Sequence, residues 1–229
     1  MASLTWLGHA SFRLDTDEEK RIYIDPFLEG NPKTPDAERD PERVDAIALT
    51  HGHGDHAADV VRLSKKFPDA VIVAMIELKN WLAKQGANVG DLPGINKGGT
   101  QEAAGVRFTL TDARHSNGGD DGEYLGDAAG LVARLPDGTS IYFAGDTCVF
   151  GDMQLIGRIY QPNVAVLPIG DWFTMGPEEA AVALELLGNP RCVPCHYGTF
   201  PVLTGTPEAL GKLTEAPLEV LQPGDTLEL

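Results

Sequence analysis

The segment Thr50-His51-Gly52-His53-Gly54-Asp55-His56 follows directly on the apolar run Val44 to Leu49. Three imidazoles and a carboxylate so close together are costly to bury unless something binds them, and both are ligand types that suit zinc and neighbouring first-row metals. The apolar run reads as a buried strand. The ligands would then leave from a strand's C-terminal end, where open α/β sheets place their sites. Gly52 and Gly54 are expected to let the backbone fold tightly between them. A solvated polar turn is the alternative, but the chain has 6 histidines in all and half of them fall here.

The remaining composition narrows the class. With 229 residues, the chain suits one large domain, or two small ones, and can bury about three-quarters of its unfolded surface. No apolar run approaches the ~20 residues of a membrane span. The start, Met1-Ala2-Ser3-Leu4-Thr5-Trp6, lacks the basic and then apolar pattern of an export signal, so a cytoplasmic protein is expected. A net charge of -16 argues against nucleic acid as the main partner, because repulsion would act at every phosphate. It leaves room for a small, even anionic, substrate, since bound divalent ions would reverse the sign locally.

Cys192-Val193-Pro194-Cys195-His196 matches the C-x-x-C-H pattern of covalent haem attachment and contains a C-x-x-C pair. The missing export signal and the setting in an apolar strand oppose haem. Only Cys148 remains to complete a second pair, which opposes a structural zinc site, and a reducing compartment opposes a disulfide. Small core thiols beside a functional histidine are the simplest reading.

Short strands and helices alternate along the chain. Strands are expected at Leu4 to Leu7, Ser11 to Leu14, Arg21 to Ile24, Val71 to Ala74, Val106 to Thr111, Val164 to Ile169, Arg191 to Pro194 and near Thr226. Ala129 to Leu135 and Ser140 to Ala144 form a hairpin around Pro136-Asp137-Gly138. Helical spacing covers Ala57 to Phe67, Ile76 to Gln85, Asp152 to Tyr160 and the segments opened by Pro177 and Pro207. Asp36 to Arg43 is charged and reads as a surface loop. His115, Asp146 and His196 each lie just beyond an expected strand, as the first cluster does. Any one of them alone would read as a turn residue; together, four strand ends deliver ligand types to one sheet edge.

The order His51-x-His53-x-Asp55-His56, His115, Asp146, His196 resembles the ligand order of the metallo-β-lactamase superfamily, over nearly the whole chain. Leu7-Gly8-His9-Ala10-Ser11, Ile24-Asp25-Pro26-Phe27, Ile169-Gly170-Asp171-x-Phe173-Thr174-Met175-Gly176-Pro177 and His196-Tyr197-x-Thr199-Phe200-Pro201 are similar to one branch. That branch is the bacterial metal-dependent hydrolases related to ascorbate-6-phosphate lactonase. The resemblance implies a four-layer αββα sandwich, two mixed sheets flanked by helices, as a single domain over 1–229 with the metals at one edge. Members of the branch form symmetric assemblies, so a homo-oligomer is implied as well.

Carried over residue by residue, His51, His53 and His115 would hold one metal. Asp55, His56 and His196 would hold a second, with Asp146 bridging. Such a ligand set leaves positions open for water, as a catalytic site needs. A bridging carboxylate keeps two ions about 3.5–4 Å apart, and water between them would ionise near neutral pH to a hydroxide nucleophile. Asp55 would pass that water's proton to the leaving oxygen. His9 is expected to contact the substrate or the bound water, with a hydrogen-bonded core histidine as the alternative. Asp25 is expected to orient a ligand histidine, with turn capping before Pro26 as its alternative. From the branch motifs, Asp171, Thr174 and Tyr197 are expected pocket residues. Gly118 to Glu123 is an acidic loop near His115, expected to be solvated rather than to cover the site.

Two departures narrow the chemistry. The familiar β-lactamases of this fold carry a cysteine where Asp146 stands, and the di-iron oxygen reductases carry a glutamate where His53 stands. The chain also lacks the inserted arm of transfer-RNA-processing members. The reading is therefore a di-metal hydrolase acting on a small ester, lactone or phosphodiester. Zinc is the first choice of ion, with manganese, nickel or iron accepted by the same ligands. A metal-loaded binding or regulatory module without catalysis, and an iron redox protein of the same fold, are the alternatives.

Overall fold

The computed structural model describes residues 1–229. Strands β1 (Ser3–Trp6), β2 (Phe12–Asp15), β3 (Arg21–Ile24), β4 (Ala46–Ala48) and β5 (Val71–Val73) form one sheet with the closing strand β12 (Thr226–Glu228), in the order β12-β1-β2-β3-β4-β5. Strands β6 (Thr100–Ala103), β7 (Val106–Asp112), β8 (Ala129–Arg134), β9 (Ser140–Phe143), β10 (Val164–Pro168) and β11 (Arg191–Cys195) form a second, in the order β11-β10-β9-β8-β7-β6. Both are mixed. In the first, β3, β4 and β5 run parallel and the remaining neighbours antiparallel. In the second, β9, β10 and β11 run parallel beside an antiparallel meander.

Six helices complete the layers: α1 (Gly54–Ala57), α2 (Val60–Lys66), α3 (Ile76–Lys84), α4 (Met153–Tyr160), α5 (Pro177–Leu187) and α6 (Pro207–Leu210). The sheets face each other, and Phe12 on β2 meets Phe143 on β9 edge to face, with centroids 5.9 Å apart. Val60, Leu63, Leu78 and Leu82 of α2 and α3 join the core of the first sheet. Met153, Ile156, Ala180 and Leu184 of α4 and α5 join Ala165 and Leu167 of β10 in a second core. Strands covered on both faces are buried throughout, as in β4, β9 and β10, whereas β7 exposes Arg107 and buries Val106 and Phe108. This is the four-layer sandwich expected from the sequence.

Three local features differ from the sequence expectation. The helix expected over Ala57 to Phe67 is two helices, and the first carries Asp55 and His56. Strand β6 was not expected: Thr100-Gln101-Glu102-Ala103 is polar in composition, and only its pairing with β7 buries Gln101 and Ala103. Within the charged loop, Asp36–Glu38 makes one 3-10 turn. Cys192 and Cys195 are buried free thiols on β11, and burial pushes the Cys192 thiol up to about 12. No helix is long and apolar enough to cross a membrane.

Candidate metal centre

Strand direction explains why distant residues meet. In the second sheet β7 is antiparallel to β8 and β8 to β9, so β7, β9, β10 and β11 all end at one edge. His115, Asp146 and His196 follow the ends of β7, β9 and β11. In the first sheet β1, β3 and β4 likewise share a direction. His9, Asp25 and the His51 to His56 cluster follow their ends.

Their side chains converge. His51, His53 and His115 offer ligand atoms within 4.8 Å of one another, and so do His9, Asp55, His56 and His196. Asp146 stands between the two groups. Its Oδ2 lies 3.3 Å from His196 Nε2, 3.6 Å from His115 Nε2 and 4.0 Å from His51 Nε2, and its Oδ1 lies 3.3 Å from His56 Nε2. His56 Nε2, His196 Nε2 and Asp146 Oδ1 are buried without a hydrogen-bond partner. Buried polar atoms are ordinarily paired, so three orphans gathered around one point suit a bound cation. The donor set, imidazole nitrogen and carboxylate oxygen, fits it too.

A supporting layer fixes these groups. Asp25 accepts from Thr50 N at 2.8 Å and Thr50 Oγ1 at 2.6 Å, and its Oδ2 lies 3.0 Å from His56 Nδ1. Donation from Nδ1 leaves Nε2 of His56 as a lone-pair ligand. Asn117 was not singled out from the sequence. Its Oδ1 accepts from Gly52 N at 2.8 Å and its amide donates to Leu125 O at 3.0 Å, which holds the histidine loop against the turn after His115. His9, Asp25 and His196 all adopt left-handed backbone, with φ of 54°, 46° and 55°. Such conformations are rare away from glycine and cluster at functional sites.

The glycines of the motif act differently from expectation. Neither Gly52 nor Gly54 has a left-handed φ. A Cβ on Gly52 would come within 2.4 Å of Leu125 and 2.8 Å of Leu78, so close packing is what excludes a side chain there. Gly145, before Asp146, does need its freedom: φ is +63° and a Cβ would lie 2.7 Å from that of Thr50.

The electrostatics suit cation binding. Burial, reinforced by His56, holds His51 well below the usual imidazole range, and burial also lowers His53 and His115. These three rings are neutral at pH 7 and ready to donate lone pairs. Burial would raise Asp146, but His196 and His56 outweigh it and keep the carboxylate ionised. Burial is likewise overcome at Asp55, chiefly by the His9 hydrogen bond. Burial opposes charge on His56 too, yet Asp146 and Asp25 raise its pKa well above the usual value. A cation held at His56 Nε2 would take the place of that proton.

A cavity of about 410 Å³ opens onto the cluster. It is lined by His53, Asp55, His115 and Asp146 together with Phe173, Phe200 and Val202. Several expected pocket residues lie elsewhere. His9 is fully buried behind Asp55 and does not line the cavity; its Nε2 lies 3.0 Å from Asp55 Oδ2, and burial lowers its pKa to about 4. The neutral ring therefore donates to the carboxylate. Asp171 and Thr174 line a neighbouring cavity with Cys148, because the turn before α5 points Phe173 inward in their place. Tyr197 stacks on Trp6 at 5.3 Å, in the packing beneath the site. No residue of the 118–123 loop lines the 410 Å³ cavity. Asp121 accepts from Trp81 Nε1 at 2.9 Å and Glu123 pairs with Lys84, and the loop borders a cavity of about 430 Å³ that shares His53 and His115.

Comparison with known proteins agrees with this geometry. The sequence profile of the beta-lactamase superfamily domain matches residues 20–197. A UPF0173 metal-dependent hydrolase of Herpetosiphon aurantiacus is 49% identical, covering 97% of this chain and 96% of that protein. Another from Chloroflexus aurantiacus is 44% identical over 98% and 96%. Among solved structures, Igni18, a metallo hydrolase of the hyperthermophilic archaeon Ignicoccus hospitalis, superposes with a TM-score of 0.85 at 33% identity, covering 100% of this chain and 99% of that one. An isothiocyanate hydrolase from Delia radicum gut bacteria shares the fold, with a TM-score of 0.73 at 24% identity over 99% and 98%. The chain thus belongs to the metallo-β-lactamase superfamily and, within it, to the family of metal-dependent hydrolases that these relatives represent.

Proposed function

We propose that the protein hydrolyses a small ester, lactone or phosphodiester at a centre of two divalent ions, zinc first, with manganese, nickel or iron as alternatives. His51, His53 and His115 would hold one ion, and Asp55, His56 and His196 the other. The position of Asp146 carries this reading: one carboxylate lies within 4.0 Å of four imidazole nitrogens drawn from both groups, so it would serve either ion. Divalent ions held by these residues would lower the pKa of a water and stabilise negative charge developing on the oxygen under attack.

The chain's own groups do the rest. Asp55 is ionised and lines the cavity, so it is placed to take the attacking water's proton and return it to the leaving oxygen as the carbon–oxygen or phosphorus–oxygen bond breaks. His9 acts through Asp55, as a positioning residue, by donating to its Oδ2. Asp25 holds the His56 ring. The open cavity supports turnover over a closed metal-binding module, and a histidine rather than glutamate at position 53 supports hydrolysis over iron redox chemistry. The likeness to the branch of ascorbate-6-phosphate lactonase keeps lactones in the substrate panel. The free cysteines suit a reducing compartment, and we place the enzyme in the cytoplasm, acting on a small molecule rather than nucleic acid.

The test is hydrolysis of a panel of lactones, esters and phosphodiesters before chelation, after it, and after return of zinc or manganese. Turnover that disappears and returns with the metal is expected. A reloaded protein that cleaves nothing in the panel overturns the reading.

A further inference from the structure

We propose that the substrate carries an uncharged, hydrophobic substituent beside its scissile bond, seated on Phe173, Phe200 and Val202. This inference rests on the hydrolytic reading above and narrows it toward neutral esters and lactones.

These three side chains line the cavity together with the ligand cluster, and no lysine or arginine lines either cavity that opens on the centre. A phosphate or carboxylate remote from the reacting bond would therefore lose its hydration without gaining a cation or a fixed donor, which is unfavourable. Phe173 and Val202 are 51% and 38% exposed, and Trp172, next to Phe173 in the chain, is 72% exposed. Large apolar side chains left in water around a reactive centre gain free energy when a hydrophobic ligand covers them.

The backbone is built to present them. Asp171 and Trp172 are both left-handed, with φ of 65° and 63°. Consecutive non-glycine residues rarely adopt that conformation, and strain of this kind persists where surrounding structure enforces it. The enforcement is visible: Asp171 N donates to Met175 O at 3.2 Å and Met175 N donates to Thr147 O at 3.0 Å. Thr147 follows Asp146 directly, so the turn that aims Phe173 is fastened to the strand end that supplies the central carboxylate. The distance from apolar wall to reacting centre is thereby fixed, which a chance exposed phenylalanine would not require.

The test uses the full chain loaded with zinc and p-nitrophenyl esters from acetate to hexanoate, beside the p-nitrophenyl monoester of succinate, whose acyl chain ends in a carboxylate. We expect kcat/KM to rise about two- to fourfold per added methylene, near the value for burying a methylene, and to fall at least tenfold for the succinate ester. Phe173→Ala should flatten the series, and Phe173→Lys should narrow the gap between succinate and hexanoate. A flat series in the unaltered protein, or a succinate ester as good as hexanoate, overturns the inference. A second readout needs neither metal nor turnover: saturation-transfer NMR of N-hexylacetamide with metal-free protein. Transfer to the terminal methyl, lost in Phe173→Lys, upholds the apolar seat even if no ester is cleaved, in which case the hydrolytic reading alone fails. Ester cleavage without chain-length preference and without transfer to the amide sinks the seat and leaves the hydrolase intact.

Discussion

Asp25 and His56, 31 positions apart in sequence, are joined by a 3.0 Å contact between Oδ2 and Nδ1, and the same carboxylate accepts from both the backbone and the hydroxyl of Thr50. One buried side chain thus orients a candidate ligand from α1 and anchors the start of the histidine loop after β4. Asp25→Asn keeps the shape but loses the charge that draws the imidazole N–H. Partners of this kind ordinarily affect metal affinity 10–100-fold. We expect a loss of about that size for one of two ions, measured by competition with a chromophoric chelator, with the other site little changed.

Asp55 contributes an oxygen to the second group and faces the cavity. Asp55→Asn retains a ligand oxygen but no longer takes up a proton. Turnover should fall by a larger factor than metal content does, with elemental analysis and kcat measured on the same preparation. Equal losses would reduce Asp55 to a ligand alone.

Protonation of His9 sets an acid limit on the metal-free protein. Its folded pKa is about 4 against 6.5 for the free side chain, because burial disfavours the charged ring. Below pH 6.5 the unfolded chain gains a proton that the folded one refuses, so stability declines as pH falls from 6.5 toward 4, by roughly 3 kcal/mol from this group. His56 works in the opposite sense: its raised pKa adds stability at low pH that is lost as pH rises through the folded value. Urea titrations at pH 7 and pH 5 should show a smaller loss in His9→Gln than in the unaltered chain.

Gly145→Ala tests the approach of the two sheets at the site. A methyl group there meets Thr50 at 2.7 Å and forces a β-carbon into φ of +63°. The expected cost is about 1–3 kcal/mol, read as a lower denaturation midpoint, together with weaker metal binding through displacement of Asp146. Gly151→Ala, where a Cβ meets nothing within 4 Å, serves as the neutral comparison.

Much of this architecture was legible because each ligand type stands just past an apolar strand, and period and turn residues mark those strands clearly. His51, His53, Asp55, His56, His115, Asp146 and His196 are singled out that way, and the structure brings them together, while the αββα arrangement follows from family resemblance. What escaped were features created by tertiary contact. Strand β6 is polar by sequence and exists through its pairing with β7. Asn117 gives no local sign that its amide bridges Gly52 and Leu125. Asp171 and Phe173 are two positions apart, and only the left-handed turn decides that the aromatic ring, not the carboxylate, lines the cavity. His9 was read as a pocket residue, but its left-handed backbone and burial place it behind Asp55.

The central claim is a two-ion centre, and metal stoichiometry tests it most directly. Protein expressed without added metal and purified without chelator should contain about two equivalents of zinc, manganese or nickel per chain by elemental analysis, and Asp146→Ala should lower that number. Iron as the sole metal, with a visible absorbance band, would favour redox chemistry in this fold. A chain that retains no tightly bound metal even after reconstitution would contradict the ligand assignment on which the account depends.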